Sequence, residues 1–69
     1  MKSADVIRTL EANGWSLARQ RGSHLQFRKK GVAALVTVPH PKRDLPIGTL
    51  KSIEKASGLN LRNPVRGKE

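Results

Sequence analysis

The apolar positions along the chain change their period three times. Val6, Ile7 and Leu10 recur at helical spacing, which predicts a helix over about 4–13. Ser3 stands at the N-cap position with Asp5 in the first turn, and "NG" at 13–14 is a C-terminal stop. "WSLARQ" (15–20) and "HLQFRK" (24–29) then alternate, separated by "RGS", which suits a tight turn. In the second of these runs Leu25 and Phe27 point one way, and His24, Gln26 and Arg28 the other. "KKG" makes the next turn, and "VAALVTV" (32–38) is a third, β-branched strand. "PHPKRD" (39–44) breaks it into a loop. Pro46 opens a second helix over 46–57, with Leu50, Ile53 and Ala56 on one face, Ile47 nearby, and Gly58 as its stop. Leu59 and Leu61 are expected to join the core before the tail, 60–69, frays.

The predicted order is α-β-β-β-α, an α+β fold. Two amphipathic helices cover one face of a three-stranded antiparallel sheet and leave the other face to solvent. Leu10, Leu25, Phe27, Val36 and Leu50 then belong to the core, and His24, Gln26 and Arg28 to the open face.

A length of 69 residues predicts a single domain. With no cysteine, neither disulfides nor thiolate chemistry enter. The first fourteen residues lack the apolar run of a signal peptide, and no stretch approaches the ~20 apolar residues that span a bilayer. The expectation is a cytoplasmic protein.

Charge narrows the choice of partner. The formal net charge is +9, unevenly placed. Lys2 and Arg8 balance Asp5 and Glu11, whereas residues 15–43 carry Arg19, Arg21, Arg28, Lys29, Lys30, Lys42 and Arg43 with no acid. So one-sided a stretch points to a polyanion, because lysine and arginine release counterions from phosphates. The plainer reading is a solvated surface that keeps a small protein in solution. A membrane surface is a poorer match, since no basic amphipathic helix carries the charge.

His24 is the candidate for chemistry. Its strand neighbours Leu25 and Phe27 take the buried side, so it does not pack. It begins a strand directly after a glycine turn, with cations on both sides. Gly22 permits close backbone approach, and the Gly22 and Ser23 amides and the serine hydroxyl suit a phosphate. Imidazole takes or gives a proton near neutrality, and RNA cleavage can use the substrate's own 2′-hydroxyl as nucleophile. Catalysis and simple RNA contact both remain open on these residues alone. His40, between Pro39 and Pro41, reads as a rigid-turn residue, with a second proton carrier as the alternative. Asp5, Glu11, Asp44, Glu54 and Glu69 are scattered without ligand spacing, so no metal site and no cofactor is expected. Ser23 beside His24 lacks an acidic orienter, which speaks against a serine hydrolase. Trp15 reads as a packing residue.

The chain resembles the HicA family of toxins, the small mRNA interferases of bacterial toxin–antitoxin pairs. The likeness runs from "SADVIRTLEANGW" through "RQRGSHLQFRK" to "VTVPHPKRDLPIGTLKSIEKASGL". Its specific part is "GSH" at 22–24, followed by Leu25 and, two further on, Phe27; "VPHP" and "GTLKSI" support it in the right order. The resemblance implies a double-stranded-RNA-binding-domain-like fold and an endoribonuclease that cleaves mRNA and so inhibits translation and growth. It also implies His24 as the catalytic histidine and a HicB-type antitoxin covering its face. A true double-stranded-RNA-binding domain usually has a lysine cluster at the start of its last helix; here only Lys51 and Lys55 are offered.

The expected RNA surface consists of Arg19, Arg21, Gly22, Ser23, Gln26, Arg28, Lys29, Lys30, Lys42 and Arg43 around His24. The alternatives to an enzyme are a non-catalytic RNA-binding module of the same fold, and a protein-interaction domain whose basic face meets an acidic partner.

Overall fold

The structure, a computed structural model, describes residues 1–61. The order is α1 (Ser3–Ala12), β1 (Ser16–Arg21), β2 (His24–Arg28), β3 (Val36–Pro39) and α2 (Ile47–Ser57). The strands form one antiparallel sheet in the order β1-β2-β3. This is the expected α-β-β-β-α architecture with helix ends displaced by a residue. Most of the tail, from 62 on, lies outside the described residues.

The core follows the helical and strand periods. Val6 and Leu10 of α1 and Leu50 and Ile53 of α2 pack with Leu25 and Phe27 of β2 and Val36 and Val38 of β3. Trp15, Leu45 and Leu61 complete the cluster, and Ile7, Ala56 and Leu59 flank it. All five predicted core residues are buried. Trp15 is buried as expected, but it precedes β1, and its indole N–H has no acceptor among the described residues, so it contributes through apolar area. Gly58 closes α2 in the left-handed conformation, its N–H donating to the Glu54 carbonyl at 2.7 Å.

Three local expectations are corrected. The third strand is shorter than 32–38. Its pairs run from Phe27↔Val36 to His24↔Pro39; Leu35 falls opposite Arg28, the last residue of β2, without joining the ladder, and residues 32–34 run past the end of β2. Val32 and Leu35 are exposed there. Ile47, at the first turn of α2, turns away from the core and is 59% exposed. Ser3 does not cap α1: the N-cap is Lys2, without a side-chain cap bond. The Ser3 hydroxyl is engaged by the 40–42 loop instead.

The edge strand β1 also departs from its pattern. Its sequence alternates, yet every residue in it is exposed. The register shifts between Leu17 and Arg19, leaving Ala18 as an extra residue. The bulge inverts parity along the strand. Leu17 lies opposite Phe27 on the helix side, while Arg19 lies opposite Gln26 and Arg21 opposite His24. The buried cluster draws on β2 and β3 and takes no residue from β1, and Leu17 remains 51% exposed.

Candidate active site

Directly opposed residues of an antiparallel pair share a face. On the open face of the sheet β2 therefore presents His24, Gln26 and Arg28, β1 presents Ser16, Arg19 and Arg21, and β3 presents Thr37 and Pro39. The bulge at Ala18 allows Leu17 and Arg19 to take opposite faces although they are two apart, and so brings both β1 arginines beside His24 and Gln26. Among the described residues, no strand position on this face is acidic.

His24 itself is exposed at the start of β2. The turn before it has two central residues, Gly22 and Ser23, closed by the Arg21–His24 pair. Gly22 has φ 59°, whereas Ser23 is not among the residues of positive φ, the pattern of a type II′ hairpin in which glycine takes the first central position. The space beyond the Gly22 α-carbon is open, so a ligand can approach the backbone there. Gln20 Nε2 donates to the Gly22 carbonyl at 3.2 Å, and the His40 N–H donates to the Ser23 carbonyl at 2.7 Å. The turn is thus tied to β1 on one side and to the loop after β3 on the other, while the Ser23 side chain remains exposed.

That loop brings a second set of cations to the same end of the sheet. Lys42 and Arg43 are exposed, following His40 and the cis His40–Pro41 peptide bond. Ser3, 1% exposed, holds the loop from beneath: its N–H donates to the Lys42 carbonyl at 3.0 Å, and its Oγ accepts the Lys42 N–H at 2.9 Å. The same Oγ is 2.7 Å from His40 Nδ1. Met1 adds an ion pair between its ammonium group and Asp44 at 2.9 Å.

Two expected site residues stand elsewhere. Lys29 and Lys30 follow the far end of β2; at about 3.4 Å per residue, Lys29 is roughly 17 Å from His24 along the strand. The aliphatic stem of Lys29 lies over Gly14, and the residue is half-buried. A basic surface that includes both lysines is an extended strip rather than a ring around His24. Conversely, nothing in the sequence groups Lys2 or Ser3 with the site, and His40 enters there only as an alternative proton carrier. Their proximity depends on contacts between residues 1–4 and 40–43 that no local pattern encodes. Among the described residues, no group of three histidine, aspartate or glutamate side chains is placed to hold a metal ion, and no helix is long and apolar enough to cross a membrane.

Comparison with known proteins locates this arrangement. Residues 3–59 match the model of a family described as the HicA toxin of bacterial toxin–antitoxin systems. The fold is similar to a chain of a solved "HicA3 and HicB3 toxin-antitoxin complex", with 34% identity and a TM-score of 0.76, covering 88% of this chain and 98% of that one. A search of the curated proteins returned no match. The small basic α+β fold with its open sheet face is therefore that of a toxin from a bacterial toxin–antitoxin pair. Within that class, the chain belongs to the HicA toxin family.

Proposed function

We propose that this toxin is an endoribonuclease that cleaves mRNA in the cytoplasm with His24 as the catalytic histidine, and thereby inhibits translation and growth. The observation that carries the reading is the setting of His24: exposed on the open sheet face, opposite Arg21, directly after the open Gly22–Ser23 turn. An imidazole among cations on an uncovered face suits a bound phosphodiester, since the cations hold the anion and the ring moves the proton.

The chemistry follows from RNA itself. The 2′-hydroxyl oxygen attacks the adjacent phosphorus, its proton leaves to a base, and the bond to the 5′-oxygen of the next nucleotide breaks as that oxygen gains a proton. The products are a 2′,3′-cyclic phosphate and a free 5′-hydroxyl. His24 serves at one of the two proton transfers, as base or as acid. Arg21, Arg19 and the turn amides stabilise the charge that builds on the phosphate oxygens. Gln26 and Arg28 continue the track along β2, and Lys29 and Lys30 extend it. No step calls for a metal ion.

The similar chain comes from a complex of HicA3 with HicB3. By extension, a HicB-type antitoxin is the partner here, covering the His24 face with acidic groups that match its charge. The deciding experiment is RNA cleavage in EDTA by the wild type and by His24→Ala. Cleavage by the wild type alone supports the reading. Binding without cleavage by both would make the chain a non-catalytic RNA-binding module instead.

A further inference from the structure

Beside the His24 face lies a cavity of about 660 Å³, lined by Lys2, Ser3, Ala4, His40, Pro41, Lys42 and Arg43. Its lining contains three cationic side chains and an imidazole, and no acid. The hydrogen bonds around it determine what His40 can offer. Ser3 Oγ accepts the Lys42 N–H, which leaves the hydroxyl hydrogen to be donated. Ser3 is buried, and an undonated buried hydroxyl is costly; donation to His40 Nδ1, 2.7 Å away, satisfies it when the ring is neutral. With Nδ1 accepting, the neutral ring carries its hydrogen on Nε2; in the imidazolium Nδ1 donates to Ser3 Oγ instead, and Nε2 still carries a hydrogen. In both forms Nε2 is a donor. The relay Lys42 N–H to Ser3 Oγ–H to His40 Nδ1 thus prepares a cavity of cations and a ring N–H donor, the equipment for an anion.

We infer that this cavity is a subsite for a backbone phosphate of the RNA, next to the phosphate cleaved at His24, held by Lys2, Lys42, Arg43 and the His40 Nε2–H. The inference rests on the proposed ribonuclease reading. Proximity supports it: Pro39 is the register partner of His24, and His40 follows directly with its N–H on the Ser23 carbonyl. A strand lying along the open face that turns over this end of the sheet brings its next phosphate to the cavity. The assignment also separates the two histidines, since a ring held as a donor by Ser3 grips an anion and does not serve as the base.

The test uses the full chain in two arms. Inorganic phosphate is titrated into ¹⁵N-labelled protein; the expected result is movement of the Ser3, Ala4 and Lys42 amide signals and of the His40 Nε2 signal, abolished in Lys2→Gln. RNA binding is then measured against salt in a His24→Ala background, with Arg28→Gln as a control on the sheet face away from the cavity. Lys2→Gln should lower the slope of log K against log salt by roughly 0.7–0.9. An unchanged slope in Lys2→Gln alongside a lowered slope in Arg28→Gln overturns the subsite and leaves the RNA reading standing. Phosphate shifts at the cavity without RNA binding by any variant overturn both, and make a free phosphate compound the ligand. Lys2 is exposed and keeps its backbone bonds to Asp5 and Val6 when substituted, so the variant folds.

Discussion

Ser3 and His40, thirty-seven residues apart, are joined by a 2.7 Å hydrogen bond from the foot of α1 to the loop after β3. The hydroxyl that makes this bond also accepts the Lys42 N–H, so it carries two interactions of a loop that has no regular structure of its own. Ser3→Ala removes both and leaves the Lys42 N–H without its acceptor. The expected destabilisation is about 1–3 kcal/mol, read as a lower midpoint in denaturant unfolding. Loss of a solvent-facing N-cap would cost less and leave the loop undisturbed; amide signals of residues 40–43 that stay in place in Ser3→Ala would restore the capping role.

Phe27 tests the core. It is 1% exposed and the largest side chain fully enclosed between sheet and helices. Truncation to alanine should cost about 3–5 kcal/mol, a large share of what so small a domain holds. Leu17, directly opposite it in the ladder, is half exposed, so Leu17→Ala should cost far less. Equal losses at the two positions, measured by urea denaturation, would contradict the placement of β1 outside the core.

These two residues also mark what was legible in the sequence. Leu25 and Phe27 are large, apolar and two apart, and that parity alone assigned the core face of β2 and put His24 on the other side. β1 has no such signal. Its single large apolar residue and its arginines are all at odd positions, so simple alternation puts Leu17 with Arg19 and Arg21; only the bulge at Ala18 separates them, and alanine carries no mark of a bulge. The start of β3 misled for a different reason. Val32 and Leu35 are strand-forming side chains, but a strand needs a partner; β2 ends opposite Leu35, and residues 32–34 have none. Ser3 has the composition of a cap, yet a tertiary contact outbid the local one. The cavity lined by Lys2 and His40 was invisible, being built across the length of the fold.

The open face predicts a graded charge map for RNA binding. Arg19 and Arg21 flank His24 and Gln26 on the sheet, whereas Lys29 follows the far end of β2 with its stem packed on Gly14. In a His24→Ala background, Arg19→Gln and Arg21→Gln should each reduce the salt slope of binding by roughly 0.7–0.9. With an oligonucleotide too short to span β2, Lys29→Gln should leave affinity unchanged, and with a longer one the lysine should count. Affinity that does not vary with salt would argue against phosphate contacts altogether.

The last prediction concerns His24 and separates chemistry from binding. Because the side chain is exposed and its backbone pairs with Arg21 and Pro39, His24→Ala should keep the fold, with a thermal midpoint close to that of the wild type. It should also keep most RNA affinity, since the cations around it remain. Its cleavage rate should fall by about 10²–10⁴, the usual effect of removing one proton-transfer group. A nucleophile supplied by the substrate further requires that a 2′-deoxy nucleotide at the scissile position abolish cleavage, and that the products end in 2′,3′-cyclic or 3′-phosphate. His40→Gln sharpens the division of roles. Glutamine keeps an N–H donor but cannot exchange a proton, so a residue that only grips phosphate should survive the change with kcat intact and a modest rise in KM. A fall in kcat as deep as that of His24→Ala would instead make His40 the second proton carrier. Full activity in His24→Ala, or cleavage of the 2′-deoxy substrate, would remove His24 from the reaction and return its face to binding alone.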